Sequence, residues 1–410
     1  MPTPTLFFTI VIAIGLLRFA ACFNSADDDD SDEETAGLFA FQTTDFDPEK
    51  IKRVVIQLHG QGRDAWLYFD QTTEALYNAT RTNTASKSKS KKRTKLKRYE
   101  TLIFAPWFLN EDDEGAYTDL DAGSSTAGPL VWPGSEWANG GDSILPSGAS
   151  DNVSSFEAID GVIRHFADRD TFPKMETIIV AGHSMGAQMA QRYALLGAVP
   201  SGRLPVHFVV ANPGSFAYLT PSRPNSVENC SETYDQWKYG LGVYEQRYLS
   251  DFVRESLDQQ NDVTDVRKRY SEQRLVHYLF GTADHGKGDT RCEAVTQGLT
   301  HLERGRNYMR HLADVVNDDS IAAVTANIHT VDYIKNVSHD GLGMFMSKAG
   351  IERLFYTNVL GEEEPQGVGD ADPDSQYFYP SRSSSLASWR PTALATVFAT
   401  LALAAIPSLL

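Results

Sequence analysis

The sequence predicts an α/β fold in which a mainly parallel central sheet is flanked by helices. Six short apolar runs rich in β-branched residues alternate with stretches of helical periodicity. The runs are apolar throughout rather than alternating, which is typical of parallel strands that are covered on both faces. With 410 residues, of which 41% are hydrophobic, the chain can build one large domain, which we expect over residues 51–360.

The predicted strands account for most of this domain. They lie at residues 53–58, 101–106, 177–181, 206–211 and 275–280, with a sixth inside 323–333. An amphipathic helix over 155–167 precedes the third strand, and a helix over 187–196 follows it. The segment 213–272 is longer than a crossover connection between two parallel strands needs to be. Its polar, aromatic-bearing pattern predicts a helical cap insertion outside the sheet.

The third strand leads into residues 182–186, whose sequence G-H-S-M-G fits the pattern G-x-S-x-G. A buried strand, a glycine-flanked turn and a helix form the context of a nucleophile elbow. Glycines fit such a strained turn because side chains there would collide with neighbouring backbone. The pattern predicts Ser184 as a nucleophile; the alternative is a glycine-rich turn with an idle serine.

Loops after other strands carry groups that could serve this nucleophile, since ligands of open α/β sheets bind beyond the carboxyl ends of the strands. The loop at 59–62, His-Gly-Gln-Gly, can aim the N–H of Gln61 at a developing oxyanion, and the N–H of Met185 is the second expected donor. After the fifth strand, Asp284 is the preferred triad acid and Asp289 the alternative.

His339 lies in a glycine-containing loop after the sixth strand and is the predicted general base. His207 and His277 lie inside strands, where we expect them to be packed in the core. His285 is the remaining rival, but it follows the predicted acid too closely to reach both partners easily.

The chain order Ser184, Asp284, His339 is that of the α/β-hydrolase fold, not of chymotrypsin-like or subtilisin-like proteases. On these residues the chain resembles the α/β-hydrolase superfamily, and the resemblance implies roles as nucleophile, acid and base in that order. The residues that resemble a branch of secreted fungal hydrolases of undefined substrate are 154–160, 182–194 and 289–298. The loop at 59–62 departs from the HGGG loop of many lipases and esterases.

We therefore expect a serine hydrolase that cleaves small or polymer-borne carboxylic esters through an acyl-enzyme. We expect no metal or cofactor, because no H-E-x-x-H motif, metal-ligand Cys/His spacing or nucleotide fingerprint occurs, and no nucleic-acid module is present. Two alternatives stay open. One is a catalytically inactive binding protein of this fold, and the other is a peptidase or acyltransferase on the same scaffold.

The two ends of the chain predict secretion and a lipid tether. The apolar start predicts a signal peptide over residues 1–22, with an uncleaved anchor as the alternative. The apolar end predicts a GPI-anchor signal over 386–410, with a transmembrane tail as the alternative. The candidate attachment residues are Ser381, Ser383, Ser384 and Ser385.

The net charge of −17 is concentrated in the flanks, so we expect an acidic disordered arm at 23–50 and an acidic, serine-containing stalk at 361–385. The opposite charge gathers at 86–98, a basic loop that is either a docking patch for an anionic surface or an ordinary solvated loop.

Cys230 and Cys292 remain after the signal region, and in an oxidising compartment we expect them to pair; the alternative is two free thiols. The candidate glycosylation sites, each in an N-x-S/T sequon, are Asn78, Asn152, Asn229 and Asn336. The aromatic residues that either line the pocket or fill the core are Trp132, Trp137, Trp237 and Tyr239.

Overall fold

A predominantly parallel sheet forms the centre of the computed structural model, which describes residues 14–20, 37–82, 96–121, 129–145, 152–199, 204–242, 248, 263–317 and 329–357. Its strands are β1 (Ile14–Ala20), β2 (Gly37–Thr43), β3 (Arg53–Leu58), β4 (Thr101–Trp107), β7 (Thr177–His183), β8 (Val206–Ala211), β9 (Leu275–Gly281) and β10 (His329–Ile334). Two further strands, β5 (Leu109–Asn110) and β6 (Val131–Trp132), pair with each other. Within the described residues the order across the main sheet is β1-β2-β4-β3-β7-β8-β9-β10.

The sheet is parallel from β4 to β10, and all six predicted strands lie in this part. The antiparallel β2 and β1 extend it at one edge. Because each strand presents alternate residues to opposite faces, Val54 and Ile56 pack in one core and Val55 in the other. The predicted α/β architecture is thereby confirmed.

Helices cover both faces of this sheet. The described helices are α1 (Ala65–Thr82), α2 (Glu114–Asp121), α3 (Ser155–Ala167), α4 (Met185–Leu196), α5 (Thr264–Gln273), α6 (Cys292–Val295), α7 (His301–Asn317), α8 (Gly341–Met346) and α9 (Lys348–Ile351). Apolar residues of α3, α4 and α7 contribute to the larger core cluster. Those of α1, α8 and α9 contribute to the cluster on the other face.

The prediction of a disordered arm over 23–50 is wrong for Gly37–Thr43, which forms β2. The acidic run that precedes this segment dominates its composition, but the segment itself reads G-L-F-A-F-Q-T. Leu38 and Ala40 are buried in the main core, and the burial of such apolar side chains favours an ordered strand. Residues 21–36 lie outside the described part.

The described part of the predicted cap differs from the helices that we expected for 213–272. Residues 213–242 consist mainly of turns around one short 3₁₀-helix, Glu228–Cys230, and a full helix forms only at α5. This segment is held by side chains instead: the Arg223 guanidinium donates to the backbone oxygens of Tyr234 and Tyr239.

Several predicted segments lie wholly or mainly outside the described residues. They are residues 86–95 of the basic loop 86–98, the stalk 361–385, the GPI signal 386–410 and the attachment candidates Ser381, Ser383, Ser384 and Ser385. The strand β1 lies within the predicted signal peptide 1–22 and pairs with β2. Among the described helices, none combines the length and apolarity needed to cross a bilayer.

A buried carboxyl group fastens α3 to α4 and to the chain that follows α4. Asp160 Oδ1 accepts hydrogen bonds from Tyr193 Oη at 2.5 Å and from the N–H of Ala198 at 3.1 Å, and Oδ2 accepts from Tyr248 Oη. Burial raises the pKa of Asp160 from 3.8 to about 6, although these hydrogen bonds oppose the shift.

We predict that Asp160→Asn changes how stability depends on pH. A folded-state pKa above the unfolded value means that the protonated carboxyl stabilises the fold at low pH, and that this stability is lost as pH rises through about 6. The free energy of unfolding of the wild type should therefore gain roughly 2 kcal/mol over Asp160→Asn between about pH 7 and about pH 4.5. Denaturant titrations of both proteins measure this difference, and a difference independent of pH would contradict it.

Candidate active site

Ser184 stands on a strained turn between β7 and α4. Its backbone has φ 59° and ψ −121°, a left-handed conformation that is unfavourable for a residue with a side chain. The N–H of Ser184 donates to Ala211 O at the end of the neighbouring β8, and its carbonyl accepts from Gln188 N in α4. The turn is thus fixed from both sides.

The glycines on either side of Ser184 are required by close backbone packing. A Cβ atom on Gly182 would lie 2.2 Å from the carbonyl carbon of Gly186. A Cβ atom on Gly186 would lie 2.5 Å from the carbonyl oxygens of Leu58 and His59. These contacts are all to backbone, so no side chain can move aside, and the helix packs directly against the end of β3.

Three predicted site residues come together in a hydrogen-bonded series. Nε2 of His339 lies 2.9 Å from Ser184 Oγ, and Nδ1 of the same ring lies 2.7 Å from Asp284 Oδ2. The Asp284 side chain has no solvent exposure, whereas that of His339 is 33% exposed. The carboxylate therefore orients the imidazole from inside, and the ring faces solvent beside the serine.

The environment of Asp284 keeps its carboxyl group ionised. Burial alone would raise the pKa of Asp284, but the contacts with His301 and His339 outweigh it and hold the pKa well below its usual range. A carboxylate in this state favours a proton on the Nδ1 atom of His339, which leaves Nε2 as the acceptor that faces Ser184.

Two polar residues near the series have no counterpart in the sequence predictions. Asn212 follows β8 with φ 45°; its Oδ1 accepts from Gly281 N at 2.8 Å and its Nδ2 donates to Ser338 O at 3.1 Å. It thus ties the loop of His339 to two strand ends. The only sequence signal was its place directly after a strand. His301 also contacts Asp284, and nothing in its sequence context marks it.

The predicted oxyanion donors lie at the same edge of the sheet. No described residue accepts a hydrogen bond from the backbone N–H of Gln61 or of Met185. The loop of Gln61 is fixed by His59, whose Nε2 accepts from Phe108 N at 3.0 Å and whose Nδ1 therefore donates to Gly60 O at 2.9 Å. Burial lowers the pKa of His59 to about 4, so its ring stays neutral.

The alternatives for acid and base are engaged elsewhere or exposed. Asp289 pairs with Arg291 at 2.7 Å and accepts from Tyr239 Oη at 2.8 Å. His285 is exposed. His207 and His277 are buried and bonded to each other at 3.0 Å, as expected for core residues.

The described structure also contains the expected disulfide, between Cys230 and Cys292. It joins the turn-rich segment after β8 to the start of α6. Of the glycosylation candidates, Asn152, Asn229 and Asn336 are exposed, and Asn78 is half-buried within α1.

The four aromatic candidates are mainly core residues. Trp132 and Trp137 are fully buried in the larger core cluster. Tyr239 is buried and holds Asp289, while the half-buried Trp237 donates to Asn139 O at 2.8 Å.

The side chains of Asp284, His301 and His339 present nitrogen and oxygen atoms within 4.8 Å of one another, close enough for a metal ion. His339 already uses both ring nitrogens, towards Ser184 and Asp284. A metal on this ring would replace one of those contacts, so we interpret the group as a set of polar contacts around Asp284.

Comparisons with solved structures agree with this architecture. The chain is similar to LpqC, a poly(3-hydroxybutyrate) depolymerase from Bordetella parapertussis, with a TM-score of 0.50 and 18% identity over 83% of this chain and 89% of that one. It also matches poly(aspartic acid) hydrolase-1 from Sphingomonas sp. KT-1, with a TM-score of 0.49 and 17% identity over 83% and 98% of the two chains. No protein-family model and no curated protein matches the sequence.

The parallel sheet, the helices on both faces and the similarity to LpqC define the α/β-hydrolase fold. At 18% identity this similarity concerns the fold alone. The finer resemblance to a secreted fungal branch stays a prediction.

We predict that Gly186→Ala destabilises the protein, because its new methyl group would overlap the backbone of β3. The expected loss is about 1–3 kcal/mol in the free energy of unfolding, the usual cost of overpacking. The matched control is Gly115→Ala in α2, where an added Cβ meets nothing within 4 Å. Equal stability of the two variants in denaturant titrations would refute the close packing.

Proposed function

We propose that the protein is a serine hydrolase that cleaves carboxylic esters through an acyl-enzyme. The single observation that carries the proposal is the series Ser184–His339–Asp284, with contacts of 2.9 and 2.7 Å, built on a strained turn at the carboxyl edge of the sheet. A nucleophile, a base and an orienting acid within hydrogen-bond reach are what nucleophilic catalysis requires.

In the proposed first step, Nε2 of His339 accepts the proton of Ser184 Oγ while Oγ bonds to the acyl carbon of the ester. The carbonyl oxygen becomes an oxyanion. The His339 imidazolium is stabilised by Asp284, whose carboxylate remains ionised because its pKa is held low. The imidazolium then returns the proton to the departing alkoxide, and the C–O bond to the alcohol breaks.

The N–H groups of Met185 and Gln61 are the proposed donors to the oxyanion. Neither N–H has an acceptor among the described residues, and a free donor fixed by its surrounding backbone costs no reorganisation when negative charge develops. One such donor contributes about 3 kcal/mol to the transition state in comparable enzymes.

Deacylation repeats the same steps with water as the nucleophile. His339 takes a proton from the water, the hydroxide attacks the acyl carbon, and the proton passes to Ser184 Oγ as the acid leaves. No described step needs a cofactor. The intact series favours this function over an inert binding protein of the same fold.

The substrate class that we propose is a small or polymer-borne carboxylic ester. LpqC is named for an ester polymer, and this makes polymer-borne esters the second arm of a substrate panel beside short soluble esters. The predicted pocket aromatics provide little support for a particular acyl group, since Trp132 and Trp137 are core residues.

We predict that Ser184→Ala lowers kcat on a short p-nitrophenyl ester by at least about 10⁴-fold, as loss of a triad nucleophile does. A fluorophosphonate probe should label the wild type and not the variant. Thermal unfolding should be almost unchanged, since among the described residues the hydroxyl is hydrogen-bonded to the partly exposed His339 ring alone. Labelling of the variant, or its full activity, would exclude Ser184 as the nucleophile.

We further propose that the protein is secreted and tethered to the cell surface by a GPI anchor. The exposed sequons and the disulfide are compatible with an oxidising, glycosylating compartment. Removal of residues 1–22 would delete β1 and leave β2 as the edge strand.

The tether predicts that a phosphatidylinositol-specific phospholipase releases the protein from intact cells. The readout is hydrolase activity or antibody signal in the supernatant after treatment. The control is a chain truncated before residue 381, which should reach the medium without phospholipase treatment. Wild-type protein that stays on the membrane after treatment would favour the transmembrane tail instead.

A further inference from the structure

A second histidine contacts the carboxylate of the proposed triad. Oδ2 of Asp284 is bonded to His339, while Oδ1 lies 3.1 Å from Nδ1 of His301. The latter is a close polar contact rather than a well-aligned hydrogen bond. The N–H of Gly286 approaches Oδ1 from the loop at 3.4 Å. Both oxygens of this fully buried carboxylate therefore have a partner.

His301 also packs against the ring of the proposed base. The rings of His301 and His339 are stacked, with their centroids 4.1 Å apart and their planes 21° from parallel. His183 contacts the same ring of His339 less closely, with centroids at 4.5 Å and planes at 43°. Burial lowers the pKa of His183 to about 3, so that ring is neutral.

The backbone around His301 is shaped to admit an imidazole. Gly288 has φ 57°, and a Cβ atom there would lie 2.4 Å from Nε2 of His301. The N–H of His301 donates to Gly286 O, and the next residue, Leu302, donates to the carbonyl of Asp284. The start of α7 and the loop after β9 are thus fixed together, with the His301 side chain buried between them.

We propose that His301 is a positioning residue of the proposed active site, which holds the second oxygen of Asp284 and supports the ring of His339. This inference rests on the proposed function. Without His301 Nδ1, the longer contact from the Gly286 N–H is what remains at Oδ1 among the described residues. The carboxylate can then turn about its Cβ–Cγ bond, and the ring that it orients can tilt away from Ser184. Small misplacements of a catalytic group cost up to about 10²-fold in rate.

Two variants of His301 test separately the effect of its polar contact with Asp284 and that of its stacking on the His339 ring. His301→Asn keeps an N–H donor close to the position of Nδ1 but loses the ring, whereas His301→Phe keeps a ring but has no donor. His285→Asn is the matched control, since His285 is an exposed histidine one residue after Asp284. For each protein kcat and KM are measured on the short ester, with the folded fraction determined by thermal unfolding.

We expect His301→Phe to lower kcat per folded molecule by about 10²-fold with KM within about twofold, because alignment is lost and substrate contacts are not. His301→Asn should lie between this variant and the wild type, and His285→Asn should equal the wild type. Wild-type kcat in His301→Phe, or a reversed order of the two variants, would overturn the proposal. If His301→Phe does not fold, His301→Asn decides: a kcat reduced by roughly threefold or more supports the role, and an unchanged kcat overturns it.

A second readout does not require turnover. The proton on His339 Nδ1 that faces Asp284 should give a proton NMR resonance at low field. His301→Asn should shift this resonance, and His285→Asn should leave it in place. An unmoved resonance in His301→Asn would overturn the role of His301. Failure of the wild type to react with the fluorophosphonate probe would instead contradict the proposed hydrolase function, so the two failures are distinguishable.

Discussion

The direct contact between the start of α4 and the ends of β3 and β7 is the constraint on which the site depends. Gly182 and Gly186 approach the backbone so closely that neither position has space for a methyl group. This approach forces the chain between them into a tight turn, and Ser184 takes a left-handed backbone conformation as a consequence. The strain at the serine is thus maintained by burial of the helix against the sheet, where apolar packing is most extensive.

The same sheet also brings the remaining groups together. Parallel strands end at one edge, so the loops after β3, β7, β9 and β10 meet there although they are far apart in sequence. Asn212 strengthens this convergence, since its amide bonds to the end of β9 and to the loop of His339. The separation of 155 residues between Ser184 and His339 is therefore bridged by rigid elements, which suits a site whose alignment must hold within a fraction of an ångström.

The sequence was sufficient to predict the six parallel strands, because continuous apolar runs are a direct consequence of burial on both faces. It was also sufficient to predict that Ser184, Asp284 and His339 lie at one edge of the sheet, because the end of each apolar run marks the end of a strand. It did not reveal β2, whose apolar segment follows a strongly acidic run, nor the turns of residues 213–242, which are held by long-range side-chain contacts. His301 was missed for a related reason. Its contact with Asp284 arises from the way α7 folds back onto the loop after β9, and no local pattern encodes that.

Burial assigns different roles to the histidines of this chain, of which there are ten. Burial lowers the pKa of six of them, so these rings remain neutral structural groups: His59, His183, His207, His277, His311 and His329. His165 is exposed on α3. His285 is exposed and away from the series, while His301 is buried against Asp284. Only His339 combines a partly exposed ring, an ionised carboxylate on one nitrogen and a hydroxyl on the other. The proposed base must accept and release a proton in each cycle, and His339 has beside it a hydroxyl that can supply the proton and a carboxylate that can stabilise the protonated ring. The role of each histidine thus follows from how deeply its imidazole is buried and from the polar groups beside it.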